Sequence, residues 1–292
     1  MKLHIKAVDY YTRAVKTLRH RDAHPTVFDL AMNELASAHL ALATILQVRY
    51  TYTMSNINTH SLIQDTKADA CDDDTLRDIE RRVTENLTDA LHQYEALLKN
   101  MTDPGIKAQI ESRIGSIHHR LGKQQLILLR ANRVRAESRK HSVKLATQHL
   151  EKSLDIFRTF GLGGAMSYAC ALMDYLLLLI PLDGSATSSK AVETAVVILV
   201  KSAVPIRTLA RDQTDERAVK QVAAALENHL IFVLREWSNF QAGTSKKRAS
   251  ACTQLSQEVT KLAKSRPENT PAAAVCETLA SALDRIGKIT TQ

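Results

Sequence analysis

Nine glycines and six prolines are all that 292 residues contain, against typical shares of roughly 7% and 5%. Sheet folds turn every few residues and place glycine or proline at those turns. A chain this poor in both turns seldom, and its elements are long. Aromatic residues, at 4%, are too few for a sheet core, which favours aromatic and β-branched side chains. Long helices remain. Hydrophobic content of 45% and charged content of 24% are those of a globular chain, which excludes disorder as the main content.

The few breakers act as punctuation. Pro25, Pro104-Gly105, the cluster Gly161-x-Gly163-Gly164, Pro181 to Gly184, Gly243 and Pro267 to Pro271 divide the chain into helical stretches. Helices are predicted near 3–20, from 27 onward, and near 75–100, 105–133, 138–160, 165–180, 188–210, 215–239, 246–264 and 272–289. In the second of these, Val27, Ala31, Leu35, Ala38, Leu42 and Ile45 recur at three and four residues, which is one buried stripe. The polar stretch 56–74 ends in Asp72-Asp73-Asp74 and reads as a loop with a capping signal for the next helix. Pro205 is expected to kink its helix or end it early. The glycine cluster reads as a helix joint. The most apolar run, 165–182, carries Asp174 at its middle and Pro181 near its end. A membrane span needs about 20 apolar residues without a central charge, so a buried core helix is the expectation and a membrane partner is not.

Weak repeats run through these helices. Ala7-x3-Tyr11-x2-Ala14, Ala90-x3-Tyr94-x2-Leu97 and Ala146-x3-Leu150-x2-Ser153 share a pattern that resembles the second helix of a tetratricopeptide unit. Leu35-Ala36-x2-His39 and Ile114-Gly115-x2-His118 place a small residue where a first helix would let its neighbour approach. The spacing is irregular, whereas a regular array repeats about every 34 residues. The expected fold is all-α: a tetratricopeptide-like array of antiparallel helical hairpins, an α-solenoid. Degenerate repeats are expected over 1–160, with further hairpins over 161–292 continuing the same array.

No phosphate-cradling glycine loop and no metalloprotease or hydrolase motif is present. Cys71, Cys170, Cys252 and Cys276 are far apart and form no CxxC, so reduced thiols are expected rather than disulfides or a zinc site. His118 and His119 are adjacent, and neighbours on a helix point about 100° apart. They cannot share a metal as i, i+4 residues can. His118 is expected at the core edge and His119 in a groove or at the surface. The reading is therefore of no catalytic residue, no metal and no cofactor. Charge is the remaining signal. Stretch 120–152 holds nine basic residues against Glu137 and Glu151, while 65–89 holds nine acidic residues against four basic ones. Nothing aromatic is interleaved among the basic residues to stack bases. A protein partner with an acidic surface or peptide is the favoured reading, and direct nucleic-acid binding through 120–152 is the alternative. The residues that would carry it are Arg130, Arg133, Arg135, Arg139, Lys140 and Lys144, with His119 and Arg120 beside them.

Several segments resemble one known family. They are Asn33-Glu34-Leu35-Ala36-Ser37-Ala38-His39-Leu40-Ala41-Leu42-Ala43-Thr44, then Ser116-Ile117-His118-His119-Arg120-Leu121, then Arg139-Lys140-His141. Leu145-Ala146-x2-His149-Leu150-x-Lys152-Ser153-x2-Ile156-Phe157 follows, and Glu227-x2-Leu230-x-Phe232-Val233-Leu234 resembles a later helix. Together they are similar to the C-terminal part of the erythroid differentiation-related factor family, proteins with tetratricopeptide-like repeats. The resemblance implies a nuclear regulator of transcription, linked in vertebrates to erythroid differentiation and globin expression, and not an enzyme. It also implies a fragment without that family's large N-terminal region. The expected role is a protein-interaction scaffold in the nucleus, with the cytoplasm as the alternative. A clamp for chaperone tails needs Lys and Asn on first-helix faces. Asn33, Ser37, Ser112 and Ser116 stand there instead, so that role is not expected.

Overall fold

The structure is a computed structural model that describes residues 1–63, 73–181, 187–211 and 215–291, with the side chains of 55–63 and 73 outside that description. The described residues form eleven α-helices and no strand. In chain order these are α1 (Lys2–Leu18), α2 (Pro25–Ile63), α3 (Asp73–Asn100), α4 (Pro104–Arg130), α5 (Arg139–Thr159), α6 (Leu162–Leu179), α7 (Ser189–Lys201), α8 (Ala203–Leu209), α9 (Glu216–Gln241), α10 (Lys246–Ser265) and α11 (Ala272–Thr290). The fold class is the expected all-α array of helical hairpins. Two compact units are present, Met1–Gln124 and Gln125–Gln292. The expected division between 160 and 161 falls inside the second.

Local chemistry sets the helix starts. Asp103 accepts the Ile106 amide at 2.9 Å and Pro104 takes the first helical position of α4, where its missing N–H is not needed. Ser188, Asp215 and Ser245 cap α7, α9 and α10 through the amides of Ala191, Ala218 and Arg248. Asp72 and Cys71 lie outside the described residues. Pro205 acts as expected. The helix breaks at Ser202, and Pro205 sits in the first turn of α8. A proline there donates nothing to the carbonyl four residues back and its ring crowds it. Ser202 is buried at the break. Its hydroxyl donates to the Ile198 carbonyl at 2.7 Å and accepts from Tyr168 at 2.9 Å.

One expectation is corrected. The stretch 56–63 is not loop, because α2 continues to Ile63. Most of its residues are polar, but Ile57, Leu62 and Ile63 are not and there is no glycine or proline, and extending an existing helix fixes only one residue per hydrogen bond gained. The α2 stripe also starts later than its spacing suggested. Val27 is exposed, Ala31 and Ile45 are half-buried, and Leu35, Ala36, Leu42, Ala43 and Leu46 carry the burial.

In the first unit α2 packs against α1 and α3. The α2–α3 bonds run antiparallel: Ser37 to Tyr94 at 2.8 Å, His39 to Asn86 at 2.8 Å and Tyr50 to Glu80 at 2.9 Å. The repeat patterns mark this packing. Ala90, Tyr94 and Leu97 of α3 are buried, as are Leu35, Ala36 and His39 of α2 and Ile114, Gly115 and His118 of α4. The same pattern in α1 buries nothing, so α1 lies at the margin of its unit.

In the second unit α6, α9 and α11 share the core with α5, α7, α8 and α10. By length and composition alone α6 could cross a membrane. Here it is a core helix. Half of it is buried, Tyr168 bonds Ser202, and Tyr175 donates to Glu151 at 2.6 Å. Leu35, Leu42, Ile114, Ile117, Leu121, Leu150, Phe157, Leu176, Leu230 and Val233 are buried. Ile117→Ala and Leu150→Ala should each lower stability by about 2–5 kcal/mol in a denaturant titration. Losses below about 0.5 kcal/mol, the surface range, would mean these faces are wrongly assigned.

Candidate functional site

The basic corner between α4 and α5 is built by a helix stop and a helix start. At the stop, Asn132 has φ 52°, a left-handed conformation that asparagine tolerates better than most residues. The Arg133 amide donates to the Leu128 carbonyl at 3.0 Å, and the Asn132 amide to Leu129 at 3.3 Å. These two bonds close the end of α4 in a Schellman motif. Arg135 then leads into a single 3-10 turn, Ala136–Ser138, after which α5 begins at Arg139.

The charges split across these two ends. Arg130 stands in the last turn of α4, where the carbonyl ends of the helix favour a cation. Arg139 and Lys140 stand in the first turn of α5, the amide end, where a cation is disfavoured, and Lys144 lies one turn further along. No acidic residue occupies the first turn of α5, and the Ser138 side chain gives no cap. Lys140 and Lys144 are also one turn apart with like charge, which is mildly unfavourable. Arg130, Arg135, Arg139, Lys140 and Lys144 are exposed and have no acidic partner among the described residues. Arg133 differs from the expectation: it is half-buried and engaged with a neighbouring group.

His119 and Arg120 lie in the first unit and are described with it. His119 is half-buried and has an interaction partner, and His118 is buried, as expected for a core-edge residue. Arg120 is not a free surface cation. It is half-buried, its guanidinium donates to Gln47 Oε1 at 3.2 Å, and its carbonyl accepts from Gln47 Nε2 at 3.0 Å. Gln47 reaches Gln124 as well, at 3.3 Å. Burial holds the Arg120 pKa below its ordinary value. Arg120 therefore serves the packing of α2 on α4, because a guanidinium taken partly out of water needs its bonds made within the protein.

Chemistry elsewhere is muted by burial. Cys170, Cys252 and Cys276 form no disulfide among the described residues, and burial pushes the last two up to about 11, far from the reactive thiolate. His149 and His229 are held below the ordinary imidazole value, each mainly by burial, with Lys152 and Arg130 respectively adding repulsion. Among the described residues no three His, Cys, Asp or Glu side chains gather to hold a metal ion.

Two cavities escaped the sequence reading. One, of about 560 Å3, opens in the first unit between α2, the end of α3 and the start of α4. There Arg21 grips Asp29 through two bonds of 2.7 and 2.8 Å, and Leu30 and Ile106 stand exposed. The other, of about 730 Å3, lies between α9 and α10 in the second unit. Its signal was in the sequence: Thr253, Ser256, Gln257, Thr260, Lys261 and Lys264 are polar at helical spacing. The same spacing also describes a solvated helix face, so spacing alone does not reveal a groove.

Residues 1–163 match a family profile described as erythroid differentiation-related factor 1-like, TPR repeats. The match spans α1 to α5 and the first residues of α6, and includes the segments at Asn33–Thr44, Ser116–Leu121 and Arg139–Phe157. The segment from Glu227 to Leu234 lies beyond it. No curated protein and no solved structure matches the chain.

Proposed function

The chain belongs to the erythroid differentiation-related factor 1-like family of TPR-repeat proteins, and from that premise we propose that it is a non-enzymatic scaffold acting in the nucleus, within an assembly that regulates transcription. Repeats of this kind are helical protein-interaction modules, and their stacked hairpins expose broad surfaces to partners. The observation that carries the finer reading is the basic corner. Five exposed cations stand there without acidic partners among the described residues, two of them in the first turn of α5, the helix end that repels them. The fold gains nothing from that placement, whereas an acidic protein surface does. Such a partner is drawn in by the field of the corner and released by salt.

The test is Arg135→Glu, Arg139→Glu and Lys140→Glu together, leaving half-buried Arg133 in place. Acidic side chains suit the first turn of α5, so the melting temperature should hold or rise slightly, each favourable helix-end charge contributing about 0.3–1 kcal/mol. Recovery of co-purifying proteins should fall about tenfold or more, and recovery by the wild-type chain should fall with added salt. Unchanged recovery with an intact fold would reduce the corner to a solvated helix joint. A fluorescently tagged chain should concentrate in nuclei, and its exclusion from them would overturn the nuclear part of the proposal.

A further inference from the structure

Where α9 meets α10, small hydroxyl side chains replace bulky ones. Ser238 donates to the Ala249 carbonyl at 2.9 Å and lies 2.7 Å from the Thr253 hydroxyl. Buried Ser256 reaches the Ile231 carbonyl at 3.4 Å. As positions rise along one helix they fall along the other, so the pair is antiparallel. Small residues at such a seam leave volume unfilled, and the result is a groove of about 730 Å3 with a polar, internally bonded floor.

Its rim is cationic. Arg235 stands on the α9 wall, Lys261 and Lys264 on the α10 wall, all three exposed and none with an acidic partner among the described residues. Among the described residues no acidic one lines the groove. The one acid of α10, Glu258, is bonded to Arg285 of α11 and unavailable to the rim. Lys264 lies in the last turn of α10, where the helix itself favours a cation. That account does not extend to Arg235 or Lys261. From Thr253 to Lys264 the α10 wall runs about 16 Å at 1.5 Å per residue, the span of about five extended residues.

We propose that the α9–α10 groove docks an extended acidic peptide segment of a protein partner. The three cations meet its carboxylates, and the hydroxyl and amide groups of the floor and walls bond its backbone. A single nucleic-acid strand is the poorer fit, because among the described residues no aromatic side chain lines the groove to stack a base. The proposal rests on the reading of the chain as a protein scaffold but uses a surface beyond both the basic corner and the family-matched residues.

The test uses the purified full chain and a fluorescein-labelled octaglutamate peptide, read by fluorescence anisotropy, with an eight-nucleotide thymidine strand as the competing probe. Octaglutamate should bind and be weakened by salt. Arg235→Glu, Lys261→Glu and Lys264→Glu together should lower its affinity about tenfold or more, while the corner reversal should change it less than about twofold. Gln257→Trp keeps all three cations, fills the groove from an exposed position and should lower affinity to a similar degree. That variant separates the groove from bulk charge, and melting curves confirm the fold of each. Absence of octaglutamate binding, equal loss from the corner reversal, full binding by Gln257→Trp, or tighter binding of the thymidine strand through the same residues would overturn the proposal. Partner recovery from cells is read separately, so the scaffold reading stands or falls on its own result.

Discussion

Arg266→Ala is expected to destabilise the second unit by about 3–5 kcal/mol, the range for stranding one member of a buried ion pair. Arg266 follows the last residue of α10 and reaches back to Glu227 on α9. Its two guanidinium nitrogens donate to the two carboxylate oxygens at 2.6 and 2.9 Å, and the side chains are only 15% and 3% exposed. The carboxylate holds the Arg266 pKa above its ordinary value. Without the arginine, a carboxylate remains in a site that water barely reaches. At about 2–4 °C per kcal/mol for a unit of this size, the melting temperature should fall by roughly 6–20 °C.

The double variant Glu227→Met, Arg266→Met removes both charges and should recover most of the loss, since apolar replacements of buried pairs are often neutral or better. An Arg266→Ala chain that melts with wild type at pH 7 would mean that solvent, not Arg266, satisfies Glu227.

Much of the fold could be read in the sequence because its determinants are local. Asp103-Pro104, Ser188, Asp215 and Ser245 announce helix starts, Pro205 announces a break, and the small-large patterns at Ala90 and Ala146 mark buried faces. The continuation of α2 through 56–63 is hidden because Asn56, Asn58, Thr59, His60 and Ser61 have the polarity of a loop, whereas helix extension needs only that no glycine or proline interrupts it. The site was legible as charge but not as surface. Arg120 and Arg133 look like the other cations in sequence. Their burial depends on where α2 passes and on the direction the chain takes after Asn132, which composition does not encode. The α9–α10 groove depends on which face of α10 meets α9, and that is a tertiary fact as well.

Two adjacent glycines should respond to alanine with opposite signs. Gly161, Gly163 and Gly164 read as a joint between helices, and Gly161 does turn the chain, with φ 54°. The next two glycines lie in the first turn of α6 and differ in what surrounds them. A Cβ on Gly163 meets nothing within 4 Å, whereas one on Gly164 falls 2.3 Å from the Phe157 carbonyl oxygen and 2.9 Å from Phe160 Cβ. The first obstacle is backbone in the last turn of α5, so it yields only if α5 and α6 separate, and that opens the packing around buried Phe157, Ala165 and Tyr168. Gly163→Ala should be neutral or stabilising by up to about 1 kcal/mol, because alanine is the better helix former. Gly164→Ala should cost about 1–3 kcal/mol, the range for overpacking a tight contact, or more if the hairpin cannot shift. Chemical denaturation of the two variants in parallel reads the difference. Equal stabilities would show that Gly164 punctuates the chain without bringing α5 and α6 together. The expected contrast would show that it is the small residue on which this hairpin closes.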